Sequence, residues 1–345
     1  MIASLAPLSA RAMAKLRGAR SLDDICVKRV VLAPEESTER KAAIHLPDEF
    51  DRIQDVRHAD SIARVQEGTS RHSATIAWLL RDAVIADGTV YAANAYINVA
   101  QRRRRKFILG KAEELQEAQL CGDTSTDMFF GHWLLEGLGR ELLAIDRDLP
   151  AINIANPIRV HEPGYRDLLR LPGHNVELAR VRNLWLIDDR GYNISHARRL
   201  LALRERLRSA ISGKENPLVF MARGRTGAPR ELLNIDAITA AVIKRGGIVI
   251  EPEQMAPRDI AAALVNAKMV VAVEGSVFAH AQLALPEGNA MLSIQPPDRF
   301  NSIHKGIADR SGLKFGFTVG KAGPGGFSLE PERLLRALDL LEASL

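Results

Sequence analysis

The sequence predicts an α/β protein of two lobes with antiparallel strands in its N-terminal part, and three observations carry that prediction. The chain has 345 residues, more than twice a usual domain of roughly 150. From residue 151 onward, strand-like and helix-like stretches alternate, the pattern of parallel α/β structure. Upstream, Asp87-Gly88 stands between two β-rich runs, the strongest short-range hairpin signal. Hydrophobic residues make up 46% and charged residues 26%, and mean hydropathy is −0.08, so the chain can bury a core. Its apolar runs, such as 269–273, are brief and fall far short of the roughly 18 residues that cross a bilayer.

In chain order, the first segment is basic: Arg11, Lys15, Arg17 and Arg20 precede the first acid, Asp23. The preferred reading is a terminal helix packed at the surface. A basic amphipathic helix touching anionic lipid through Ile2, Leu5, Leu8, Met13 and Leu16 stays open, as does a transit peptide in a eukaryotic source. A secretory signal fits poorly, because the charges follow the apolar residues. Strands are expected at 74–80, 83–86, 89–91 and 95–100. The run Arg102, Arg103, Arg104, Arg105, Lys106 reads as a solvated strand end or loop; it lacks the interleaved aromatics of a single-strand binder.

Next, Trp133, Leu134, Leu138, Leu142 and Ile145 recur at three- and four-residue spacing, which predicts an amphipathic helix over 129–145, ended before Pro150. Strands at 151–154 and 181–187 alternate with helices at 164–171 and 196–211. The Gly, Pro and polar cluster at 212–217 is the best linker, and the domain boundary is expected near 199–217. Strands at 218–222, 248–250, 269–273 and 290–294 then alternate with helices at 234–244, 257–266 and 277–285, one Rossmann-like lobe. The expected organisation is an N-terminal extension and start of the first lobe at 1–73, the N-terminal lobe at 74–210, the C-terminal lobe at 211–330 and a terminal helix at 331–345.

Two cysteines, Cys26 and Cys121, are too few for a Cys-rich zinc site and favour a reducing compartment, the cytoplasm. A net charge of +5 points to anionic partners without choosing among them. No helix-turn-helix, zinc-finger or RNP pattern is present, so no nucleic acid is expected.

Three segments carry candidate chemistry. Arg223, Arg225 and Arg230 follow the strand at 218–222, and ligands of open α/β sheets sit beyond the carboxyl ends of strands, so a diphosphate would suit them. The strand at 269–273 ends in Glu274-Gly275-Ser276 and opens a helix bearing His280. Gly275 admits a close ligand, Ser276 and the first helical N–H groups can hold anionic oxygen, and Glu274 can accept ribose hydroxyls. His132 and Glu136, four apart, share a helix face, and a histidine paired with a carboxylate can take a proton. No His-Glu-x-x-His accompanies them, and Asp146-Arg147-Asp148 falls at a helix end, where surface charge is the better reading; no metal site is expected.

As an ordered set these segments resemble glycosyltransferase family 61, the capsular-polysaccharide type. Gly131-His132-Trp133-Leu134-Leu135-Glu136 with Arg140 resembles its His-Trp-Leu helix. Arg223 with Arg230-Glu231-Leu232-Leu233-Asn234 resembles its arginine and Leu-Leu-Asn segment, and 270–286 its strand, loop and helix followed by Pro-x-Gly. The resemblance spans roughly residues 74–316. Many members carry a His-Gly-Ala-Gly loop where this chain has Glu274-Gly275-Ser276, so a histidine role is not carried over there.

The resemblance implies a GT-B-like arrangement, two Rossmann-like lobes facing a cleft. It implies a hexosyl- or pentosyltransferase that inverts at the anomeric carbon and needs neither metal nor cofactor beyond its nucleotide-sugar co-substrate. His132 and Glu136 become the catalytic candidates in the acceptor lobe. Arg223, Arg225, Arg230, Asn234, Glu274, Gly275, Ser276 and His280 become the donor-binding ones. The partners are then a nucleotide sugar and a glycan or lipid-linked glycan, with peripheral contact at the inner face of the membrane. Two rivals stand beside this reading. An epimerase- or dehydrogenase-like enzyme would carry a Gly-x-Gly-x-x-Gly turn after a strand, which is absent. A basic nucleic-acid or membrane-surface binding protein would rest on residues 102–106.

Overall fold

A computed structural model of the chain describes residues 21–101, 111–156, 159–224 and 230–345. The basic N-terminal segment, the run at 102–106 and Arg225 lie outside the described residues. The chain divides into two compact units, Met1–Glu36 with His72–Leu200, and Ser37–Arg71 with Leu201–Leu345. Each has its own main sheet.

In the first unit β1 (Lys28–Ala33) lies antiparallel beside β4 (Thr75–Ala86); the intervening β2 (Glu36–Arg40) and β3 (Gly68–His72) pair with each other and, apart from Glu36 and His72, fall in the second unit. β4, β5 (Thr89–Ala92) and β6 (Ala95–Asn98) form an antiparallel meander. Asp87 and Gly88 take φ of +49° and +67°, the left-handed pair of a type I′ turn. The sequence predicts separate strands at 74–80 and 83–86; they are one strand, interrupted by Asp82 at φ +48°. That residue breaks the alternation of faces, so Leu80 joins Ala83 and Ile85 in one core while Ala77 and Leu79 face another.

The second half of this sheet is parallel. β7 (Glu113–Leu120) leads through α1 (Thr124–Met128), α2 (Phe130–His132), a π-helical turn (Trp133–Gly137) and α3 (Leu138–Asp146) into β8 (Ala151–Ile154). α4 (Glu162–Leu169) leads to β9 (Asn175–Val176), and β10 (Leu178–Asp188) returns between β4 and β7, antiparallel to the first and parallel to the second. The strand order is β6-β5-β4-β10-β7-β8-β9. The helix expected over 129–145 thus contains a π turn, in which Leu138 N–H donates to Trp133 O, five residues back. Trp133, Leu134, Leu138 and Leu142 are buried as the spacing predicts, but Ile145 is 52% exposed.

α5 (Ile194–Ala210) passes from one unit to the other, and the division after Leu200 falls inside this helix, within the expected boundary region 199–217 though ahead of the linker at 212–217. Its C-terminal half is tied to the second unit: Arg204 donates to the carbonyls of Ser311 and Leu285, and Arg208 to those of Val265 and Ala284. These are helix-end carbonyls that otherwise lack partners.

The second unit is built on β11 (Asn216–Met221), β12 (Ile248–Ile250), β13 (Ala267–Val273), β14 (Ala290–Gln295) and β15 (Lys314–Val319), all parallel in the order β12-β11-β13-β14-β15. That is the doubly wound order 2-1-3-4-5. α6 (Ile235–Lys244) and the terminal α10 (Pro331–Glu342) cover one face through Ile238, Val242, Leu334 and Leu338. α7 (Pro257–Leu264), α8 (Phe278–Ala284) and α9 (Ile303–Arg310) belong to the same alternation, and α9 and β15 extend it beyond the elements expected from sequence. Strands buried on both faces are nearly all apolar, as Met269 to Val273 are here.

Residues 37–71, expected with the N-terminal lobe, belong to this unit. Ile44 covers the edge of β15, its N–H donating to Phe315 O at 2.9 Å and its carbonyl accepting from Phe317 N at 3.0 Å. Leu46 enters the core beside Leu292 and Leu338. Glu49, 0% exposed, accepts from Thr318 Oγ1 and Val319 N and pairs with Arg333. A buried carboxylate with three donors holds the segment in place.

Candidate active site

In the first unit the parallel strands β7 and β10 end at the same sheet edge. β7 delivers Asp123, and β10 delivers Asp188, Asp189 and the turn that follows. Asp123 caps α1 by accepting from Thr126 N–H at 2.9 Å, and its other oxygen accepts from Arg140 Nη1 at 3.0 Å. Arg140 is 2% exposed and is held on the helix that carries the histidine. The π turn lies directly behind His132 and buries Glu136 at 4% exposure. His132 Nδ1 lies 2.7 Å from Glu136 Oε1. Tyr192 Oη donates to the same oxygen at 2.5 Å.

The electrostatics of this pair are coupled. Burial disfavours the charged imidazole, but the hydrogen bond and charge of Glu136 and the charge of Asp123 outweigh it and hold the His132 pKa above its ordinary 6.5. Burial raises Glu136, and His132, Tyr192 and Arg140 more than reverse that, so it stays ionised. With Nδ1 turned to a carboxylate, Nε2 is the ring nitrogen left to take a proton. Beneath them Asp189, 3% exposed, accepts from Thr75 Oγ1 at 2.6 Å and Arg199 Nη2 at 2.5 Å, and lies 3.2 Å from His196 Nδ1. Trp133 packs under the guanidinium groups of Arg159 and Arg166, with centroid distances of 5.4 and 5.7 Å.

Asp146 and Asp148 lie at the far end of α3, just before β8 begins, and both are exposed. Their helix starts near the edge where β7 ends, so they sit at the opposite edge of the sheet. Cys26 and Cys121 are free thiols, and burial pushes Cys121 up.

In the second unit the expected arginine and glycine segments come together. β11 and β13 are neighbours whose onward connections diverge, β11 to β12 on one side and β13 to β14 on the other. The crevice outside such a switch point is where doubly wound sheets bind ligands. Arg223 follows β11, and Glu274, Gly275 and Ser276 follow β13. Arg230 Nη1 donates to Glu274 O at 2.7 Å and lies 3.0 Å from Glu274 Oε2, while Asn301 Nδ2 donates to Oε1 at 2.7 Å. Glu274 is 2% exposed, so its carboxylate steadies Arg230 and Asn301 rather than facing outward to a ribose. Gly275 has φ +150°, and a Cβ there would lie 2.6 Å from Arg223 Nη1 and 2.7 Å from Arg230 Nη1. Only glycine admits both guanidinium groups.

Sequence reasoning missed two further cations here. Arg299, in the loop after β14, and Arg57, in the segment at 37–71, both act on Arg230 electrostatically. Arg57 is placed by backbone pairing, its N–H donating to Phe300 O at 2.7 Å. Burial first, and then the repulsion of Arg299, Arg223 and Arg57 against the attraction of Glu274, push Arg230 down to about 10. It remains cationic at neutral pH. Arg299 Nη1 and Arg230 Nε are buried without a hydrogen-bond partner. The strand-end rule that flagged Arg223 applies equally to Arg299 after β14; Arg57 had no such signal.

Other expected donor residues stand apart. Asn234 clamps the backbone of Leu329, donating to its carbonyl at 2.8 Å and accepting from its N–H at 3.1 Å. His280 lies inside α8 and is 3% exposed. The N–H groups of Phe278, Ala279 and His280 donate to the carbonyls of Gly275, Ser276 and Val277, so these three of the helical N–H groups are used within the opening turn of α8.

Residues 130–291 match the family model described as Glycosyltransferase 61. The matched stretch runs from the helix bearing His132 through Arg223 and Glu274. The part of this chain that is similar to glycosyltransferase family 61 is thus residues 130–291, less than half of its length. No curated protein matches it. Two solved structures resemble it in part. The metal-soaked Flv1 flavodiiron core from Synechocystis sp. PCC6803 is 13% identical, covering 48% of this chain and 43% of that one, with a TM-score of 0.27. The flavodiiron protein from Giardia intestinalis is 12% identical, covering 54% and 48%, with a TM-score of 0.27. The chain spans less than half the length of either structure.

Proposed function

We propose that this protein is a family 61 glycosyltransferase that moves a sugar from a nucleoside-diphosphate sugar to a hydroxyl of a glycan or polysaccharide acceptor, with inversion and without a metal, in a GT-B-like arrangement. The observation that carries the reading is the arginine cluster at the switch point of the second unit. Arg299 and Arg57 act on Arg230 and Arg299 acts on Arg223, while Glu274 acts on both Arg223 and Arg230 and Glu253 on Arg223. A cluster so unbalanced, with buried N–H groups lacking acceptors, is stabilised by an anion.

A diphosphate leaving group develops charge as the bond to the anomeric carbon breaks, and fixed cations aimed at that charge lower the barrier. They supply on the leaving group what a divalent metal supplies elsewhere. His132 takes the proton of the acceptor hydroxyl at Nε2 while the hydroxyl oxygen forms the new bond to the anomeric carbon and the nucleoside diphosphate departs from the opposite side. Glu136 steadies the imidazolium that results. The acceptor would be a capsular-type or lipid-linked glycan, met in the cytoplasm at the inner face of the membrane.

The test is a panel of sugar nucleotides, read by thermal shift and by slow donor hydrolysis, with pyrophosphate alone as the minimal probe. Stabilisation by pyrophosphate and by at least one sugar nucleotide is expected. A protein that none of the panel stabilises, and that hydrolyses none, would overturn the donor assignment.

A further inference from the structure

Tyr192 occupies the turn after β10, and its backbone is left-handed, φ +49°, a conformation that bulky residues rarely adopt. Such a conformation persists only where the surroundings over-determine it, and here they do. Gly191 approaches Ser73 so closely that a Cβ would lie 2.1 Å from Ser73 O. His72 Nδ1 lies 2.8 Å from Gly191 O, and Asn193 Nδ2 donates to Ser73 O at 3.0 Å and to Thr75 Oγ1 at 2.9 Å. The Tyr192 ring stands edge-on to His196, centroids 4.7 Å apart, and His196 is fixed by Asp189. All of this rigidity ends on one hydrogen bond, from Tyr192 Oη to Glu136 Oε1 at 2.5 Å. That oxygen is the one His132 Nδ1 faces at 2.7 Å.

We propose that Tyr192 is a positioning residue for the transfer step: its phenol holds Glu136 Oε1 and shares that oxygen with His132, which fixes the imidazole tautomer and limits its basicity. The proposal rests on the reading of His132 as the base. Two donors on one carboxylate oxygen compete for its charge, so the phenol weakens the hold of Glu136 on an imidazolium. The other charged groups acting on the pair are Asp123 at the end of β7, Arg140 on α3 and Arg190 in the turn after β10, itself paired with Asp188. None of them touches Glu136 Oε1 in place of the phenol. A purely structural tyrosine would leave the titration of His132 where it is.

The experiment follows the His132 imidazole by proton NMR titration, assigned by its loss in His132→Asn, in the full chain and without substrate. Tyr192→Phe should raise the His132 pKa by about half to one unit, the equivalent of one hydrogen bond. Replacing Tyr192 with 3-fluorotyrosine, a stronger donor of the same shape, should lower it, and remains informative if Tyr192→Phe does not fold. The pH profile of donor hydrolysis should move in the same directions, with donor KM unchanged. Titrations that coincide in all three proteins would overturn the proposal. If His132→Asn itself transfers sugar at a near-normal rate, the reading of His132 as the base fails; if that variant is inactive while the titrations coincide, only the role of Tyr192 fails.

Discussion

The two units use the same rule of placement and opposite rules of charge. In both, the candidate side chains stand where neighbouring parallel strands end, β7 with β10 in one and β11 with β13 in the other. At the first edge each described carboxylate has a cation or donor against it: Asp123 with Arg140, Glu136 with His132 and Tyr192, Asp188 with Arg190, and Asp189 with Arg199. At the second, Arg299, Arg223 and Arg57 act on Arg230, and Arg299 Nη1 and Arg230 Nε have no acceptor among the described residues. A closed network fixes geometry and suits a base that must hold one orientation. An unbalanced cluster has lost hydration without regaining it, and an anionic ligand restores that loss.

The largest test of this contrast is at the closed edge. His132→Asn should lower turnover by about 10²–10⁴-fold, the usual contribution of a positioned base, with donor affinity and melting temperature kept. Equal losses of melting temperature and turnover would mark His132 as packing instead. The same residue sets a pH dependence. Because its pKa lies above 6.5, the imidazole is protonated below that raised value and cannot accept a proton. The kcat/KM profile should therefore fall about tenfold per pH unit on its acid side, with the limb placed above 6.5 and absent from His132→Asn.

At the open edge, Arg230→Ala should weaken pyrophosphate and sugar-nucleotide binding by about tenfold or more, since charge-assisted hydrogen bonds contribute ~1.5–3 kcal/mol each. Binding calorimetry with a melting curve checks it, and unchanged affinity with Arg223→Ala as well would remove the anion site. Gly275→Ala sharpens the same point, because its added methyl would displace both Arg223 and Arg230 and the φ of +150° disfavours it. It should lose pyrophosphate affinity comparably although no charge has changed. The smallest effect belongs to Asp146→Asn with Asp148→Asn, at the far edge of the first sheet. Turnover should stay within about twofold, as exposed substitutions away from a site usually leave function intact; a large loss would reopen the Asp-x-Asp metal reading.

How much of this was legible beforehand varies by residue. The strand and helix runs of the second unit were readable because buried parallel strands are apolar throughout, and the strand-end rule then located Arg223 and Glu274. The pairing of His132 with Glu136 was readable from their spacing. β7 was not: its Glu113-Glu114-Leu115-Gln116-Glu117 start favours helix, and it is a strand because β8 and β10 hydrogen-bond to it on both sides. Asn234 and His280 carried polar signals, and the structure places Asn234 on the Leu329 backbone and buries His280 in α8.

By itself, then, the sequence determined whatever depends on local periodicity and on residue type at a strand end: the alternating lobe, the Asp87-Gly88 hairpin, the arginines and the His132–Glu136 pair. Tertiary structure alone decided the contacts between residues far apart in the chain. It drew Ile44 onto the edge of β15 and so brought Arg57 to Arg230, placed Arg299 beside them, turned Glu274 inward, and set Tyr192 on Glu136, 56 positions away in sequence. Such pairings have no period to read, because they follow from which surfaces remain to be covered once each sheet has formed.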